Sequence, residues 1–90
     1  MIKKIEKHAS SSLTDRQHKN IVDDIEYVMT TADKLKDLEE SGMDFTKFIW
    51  ALESMSFICP AERKAYLEYL GAVQQERASQ IVERIQKYGY

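Results

Sequence analysis

Apolar residues recur along this chain at intervals of three and four, the spacing of a helical face, and β-branched residues never alternate for long enough to suggest a strand. From Ile21 the run continues through Ile25, Val28, Ala32 and Leu35, with Met29 widening it, as a coiled-coil-like seam of about two heptads. Ahead of it Thr14 and Gln17 stand three apart, the signature of a capping box, and Asp15 adds the negative charge that a first helical turn favours. Gly42, after Glu40 and Ser41, suits the position that closes a helix. These signals predict a first helix over residues 15–41, roughly 40 Å long at 1.5 Å per residue.

Asp44 is placed to cap a second helix over 45–57, which Pro60 ends because the residue before a proline avoids the helical region. Pro60 in turn suits the first turn of a third helix, with Glu62 behind it. Leu67, Leu70, Gln74, Ala78, Ile81, Ile85 and Tyr88 mark its inward face out to residue 87 or 88. Tyr66, Tyr69 and Val73 share a face that reads as core. Gly71 interrupts this helix at roughly 1 kcal/mol relative to alanine, inviting a close helix crossing or a slight bend. The expected fold is all-α, an antiparallel bundle of two long helices and one short one in the order long, short, long. A basic N-terminal arm and serine loop (1–12) precede a single helical domain (13–90).

In the helix-like stretch around the second predicted helix Met43, Trp50 and Phe57 lie seven apart, roughly opposite a stripe of Phe45, Phe48, Ile49, Leu52 and Met55. Such a helix needs cover on two sides. The chain's own core supplies one, so Met43, Trp50 and Phe57 are the candidate interface for a homo-oligomer or a protein partner. Length argues the same way. A middle helix of about 13 residues spans some 20 Å and covers half of a groove between two 40 Å neighbours. A single domain of 90 residues also buries only about 60–65% of its unfolded surface, so association would add needed stability.

Charge is unevenly spread. Residues 1–20 carry five basic and two acidic side chains, 21–60 carry three and nine, and 61–90 carry five and four, for a net charge of −2. A basic arm therefore leads an acidic body, and the sequence pI near 5.7 disfavours duplex nucleic acid. Cys59 is the only cysteine, which excludes an intrachain disulfide and fits a reducing compartment. Met1-Ile2-Lys3-Lys4 begins like a signal peptide, but charged residues follow where an apolar run belongs. No stretch approaches the ~20 consecutive apolar residues of a membrane span. The expected location is cytoplasmic, with no membrane partner.

No catalytic constellation emerges. His8 and His18 lack the additional ligands and spacing of a metal site, and no cofactor motif is present. Cys59 between Ile58 and Pro60 reads as packing rather than as a nucleophile. Asp23-Asp24 and Glu39-Glu40 read as a solvated helix surface, since adjacent helical carboxylates point about 100° apart. Lys3, Lys4, Lys7 and Arg16 are candidate anion-binding residues, able to hold a small nucleotide-like ligand at a subunit interface with Tyr66, Tyr69, Tyr88 or Tyr90 as stacking surfaces. The long, short, long order also resembles in outline the small all-helical chorismate mutases, which would imply an enzyme. Those enzymes aim several cationic side chains into a buried pocket, whereas the first-helix seam here is apolar. The leading expectation is a non-enzymatic interaction or regulatory protein that self-associates and binds or inhibits another macromolecule.

Overall fold

In the computed structural model, which describes Ile5, Lys7 and residues 11–89, the chain forms three α-helices: α1 (Asp15–Thr31), α2 (Leu35–Ser54) and α3 (Pro60–Tyr88). No strand occurs among the described residues. The capping box opens α1, with the Gln17 N–H donating to Thr14 Oγ1 at 3.1 Å and the Thr14 N–H to Gln17 Oε1 at 2.9 Å. Cys59 caps α3, its sulfur accepting from the backbone of Glu62, and Pro60 occupies the first turn. Gly89 closes α3 in the left-handed region, at φ 75°.

The bundle is up-down-up. Glu53 meets Arg63, and eleven residues earlier on α2 Gly42 meets Gln74, eleven residues later on α3, so these two helices are antiparallel. His18 meets Tyr66 and Ala32 meets Arg77, so α1 runs parallel to α3. Ile25, Met29, Leu38, Ile49, Tyr66 and Ile81 are fully buried at the centre.

The helix lengths correct the expected order: 17, 20 and 29 residues, rather than long, short, long. The predicted 15–41 helix breaks at Ala32–Lys34, and the second helix starts at Leu35 and passes straight through Gly42. No glycine or proline marks the break. Thr30 and Thr31 turn their hydroxyls back onto the carbonyls of Glu26 and Tyr27, a habit that weakens a helix end. Two arginines of α3 then hold the linker. Arg77 Nε donates to Ala32 O at 2.9 Å, Arg84 Nη2 donates to Asp33 O at 2.6 Å, and both guanidinium groups lie 3.7 Å from Asp33 Oδ1. An unbroken helix over 15–54 would be about 60 Å long, more than the 47 Å of the whole molecule. The break lets Met29 and Leu38 enter one core. With the helix order changed, the outline resemblance to chorismate mutases loses its basis.

The α1 seam is also rotated from its expected position. His18, Val22, Ile25 and Met29 are the buried residues, while Ile21 is half-buried and Val28 and Leu35 are exposed. On α3 Tyr66, Tyr69 and Val73 are buried as expected, while the inward face is shorter at its end, where Ile85 and Tyr88 are exposed.

Neither helical glycine plays its expected role. Gly42 is buried where α2 meets α3, and a Cβ there would collide with the Gln74 side-chain amide. Gly71 is exposed and faces open space. Gly71→Ala should therefore stabilise the protein by roughly 0.5–1 kcal/mol. Gly42→Ala should gain less or lose stability, because the Gln74 amide must swing away. Chemical denaturation of the two variants checks the difference; an equal gain would show that the close approach at Gly42 carries no energetic weight.

Candidate docking groove between α1 and α2

Two helices that both pack on a third leave an outer furrow between them, and here that furrow is apolar. On α1, Ile21 and Val28 lie seven residues apart beside the buried seam; on α2, Phe45 and Phe48 lie beside buried Ile49 and Leu52. They form two adjoining hollows of about 380 and 270 Å³ that share Phe48 as a common wall. One is bounded by Asp24, Val28, Ser41, Asp44 and Phe45. The other is bounded by Leu13, Gln17, Asn20, Ile21, Leu52 and Phe57. Phe48 remains 45% exposed at the junction.

Phe57 reaches this furrow through the way α2 ends. The Ser56 N–H donates to Glu53 O and the Phe57 N–H to Leu52 O, both at 2.9 Å, the paired bonds of a Schellman motif. Ser56 occupies the left-handed position that this motif usually reserves for glycine, at φ 62°. The turn swings Phe57 beside Leu52, and the Phe57 carbonyl accepts from the Ser12 N–H at 3.1 Å.

The expected stripe of Met43, Trp50 and Phe57 is therefore not one surface. Phe57 lies outside α2 and lines the α1/α2 furrow. Met43 borders a hollow with Gly42, Thr46 and Gln74 on the α3 side. Trp50 is covered in part by the Arg63 guanidinium, 4.3 Å from its ring centre, while Arg63 Nε donates to Glu53 Oε2 at 2.9 Å. All three residues are partly exposed, but two of them flank α3. Conversely, Phe48 and Met55 were expected in the core stripe and are exposed. Ile21, Val28 and Phe48 are the groove residues that the periodicity misassigned. Their signal was the excess width of the apolar stripe on both helices.

Of the anion-binding candidates, Lys3 and Lys4 lie outside the described residues, as do His8 and Tyr90. Lys7 donates to Leu13 O at 3.1 Å and pairs with Asp15 at 3.2 Å, contacts that a ligand would have to displace. Arg16 is exposed on α1. Tyr66 and Tyr69 are buried and offer no stacking surface, whereas Tyr88 is exposed beside Lys87.

Two features of α3 instead build a buried polar cluster. His18 Nε2 donates to the Ile5 carbonyl at 3.1 Å, so in the neutral ring Nδ1 accepts from the Tyr66 hydroxyl at 2.5 Å. Burial, and secondarily the Glu62 carboxylate one turn earlier, push the Tyr66 phenol up to about 12 and keep it a proton donor. Glu62 is itself buried; its Oε1 accepts from the Cys59 N–H at 3.4 Å, and its Oε2 has no hydrogen-bond partner among the described residues. The arrangement ties the Ile5 segment and α1 to α3. Among the described residues no three His, Cys, Asp or Glu side chains gather as a metal ion requires, and no helix is long and apolar enough to cross a membrane.

Comparison of the chain with protein-family models, with curated proteins and with solved structures returned no match. The geometry of the groove therefore carries the functional argument alone.

Two outcomes follow from these contacts. Ser56→Gly should raise stability by about 0.5–1 kcal/mol by relieving the left-handed serine, with no change in the helical circular dichroism; a loss of stability would mean the turn is held differently. Tyr66→Phe should cost about 1–3 kcal/mol near neutral pH by leaving His18 Nδ1 without its donor. The folded phenol titrates above its ordinary 10.0, so the unfolded chain loses this proton first and stability falls as pH rises from 10 toward 12. That loss, on the order of 2 kcal/mol, should be absent from the variant, narrowing the gap between the two proteins. A gap constant across that range would refute the assignment.

Proposed function

We propose that this chain is a non-enzymatic interaction protein that works by docking another polypeptide in the α1/α2 groove. The observation that carries this is the continuity of the apolar furrow past Phe48: side chains from both helices converge there with no helix among the described residues covering them. Association hot spots favour large aromatic groups set in a recess, because closing water out of such a site returns the most free energy per side chain. Phe48 fits that role, with Phe45 and Phe57 on either side. The same surface would serve a second copy of the chain or an unrelated partner, the two forms of association expected from the sequence.

Replacing Phe48 by a photo-crosslinking phenylalanine analogue in the protein expressed in its own cells tests the proposal. Adducts should form at position 48 in clear excess over the same probe at exposed Lys36, outside the groove. A mass increment of one further chain would identify self-association, and any other discrete mass a partner protein. No excess at position 48 would remove the groove as the working surface.

A further inference from the structure

We propose that the groove's occupant is a basic amphipathic helix of about three turns, supplied by another protein. This rests on the groove being a docking surface and adds the chemistry of its partner. The lining positions run from Gln17 to Val28 on α1 and from Ser41 to Leu52 on α2, twelve residues on each helix whose ends lie about 16 Å apart at 1.5 Å per residue. A furrow walled by two helices and stepped at one-turn intervals accepts a third helix, whose apolar residues at i, i+4 and i+7 enter the hollows on each side of Phe48.

Charge selects among the helices that would fit. The groove lining contains Asp24 and Asp44, one on each wall at the same end, and no lysine or arginine. The surrounding stretch 21–60 holds nine acidic and three basic residues. A second copy of this chain would present the same acids and no cation from its own groove. Of the chain's own basic segment, Lys7 is held by Asp15 and Leu13 O, and the Ile5 carbonyl by His18. Lysine or arginine flanking the apolar stripe of a different protein would meet Asp24 and Asp44 directly. Such pairs at the rim of an apolar contact fix the partner's identity and orientation more than they raise its affinity.

Two capped, fluorescein-labelled peptides of about 14 residues provide the test. They share leucines at the groove spacing and differ only in carrying Lys or Glu on the flanks. Fluorescence anisotropy with the full chain should show the Lys peptide binding about tenfold tighter than its Glu twin at low salt, as two charge pairs allow. The advantage should shrink as salt is raised. Asp24→Asn with Asp44→Asn should bring the two peptides to similar affinity, and Phe48→Ala, at an exposed position, should weaken both. Equal binding of the twins would overturn the proposal while leaving the groove a docking surface. A Lys preference that survives the double Asp→Asn change would overturn it as diffuse attraction to an acidic body. Binding of neither peptide would overturn it, as would a sedimenting dimer dispersed by Phe48→Asp, and the crosslinks at position 48 would then decide independently whether the groove docks anything.

Discussion

The fold-back at Ala32–Lys34 is the constraint on which the rest of the molecule depends. It carries no glycine and no proline, and its conformation is set by donors from a distant part of the chain: Arg77 on the Ala32 carbonyl and Arg84 on the Asp33 carbonyl. The Arg77 bond is part-buried and the Arg84 bond exposed, and Asp33 adds its carboxylate between the two guanidinium groups. By holding the linker open they turn one amphipathic run into a hairpin. Both arms of that hairpin then pack on α3, and the furrow between them exists only because the fold-back brings Ile21 and Val28 beside Phe45 and Phe48.

That dependence explains which parts of the architecture were legible in the amino-acid order and which were not. Local chemistry was readable: the Thr14–Gln17 box and Pro60 start helices where expected, and α3 ends at Tyr88. The all-helical class followed from the period of the apolar residues. What escaped was anything decided by contacts across the bundle. Gly42 has the local character of a terminator, but its neighbour is Gln74, and a missing side chain there admits α3. Ala32 has the local character of a helix interior, but its carbonyl belongs to Arg77.

The shifted break also changes which residues share a face. Over an unbroken 15–41 helix, Ile21, Ile25, Val28 and Ala32 read as one seam; once α1 ends at Thr31 the buried set becomes His18, Val22, Ile25 and Met29, leaving Ile21 and Val28 for a second face. On α2 the excess of apolar sides is real: Phe48 is exposed along with Met43 and Trp50, and they lie on different flanks of the helix. Phe57 could not have been located from helical spacing at all, because the left-handed Ser56 redirects the chain just before it.

The arginine clamp has a consequence for how the protein comes into being. The carbonyls of Ala32 and Asp33 lie 45 and 51 positions ahead of the residues that hold them. A chain emerging from the ribosome, N-terminus first, presents α1 and α2 long before Arg77 and Arg84 exist. Until then the Thr30–Lys36 stretch is at liberty to continue as helix, and the hairpin has neither its latch nor the α3 surface that buries its inner seam. Native structure must therefore arrive late and all together, with the last third of the chain acting as the template on which the first two thirds close.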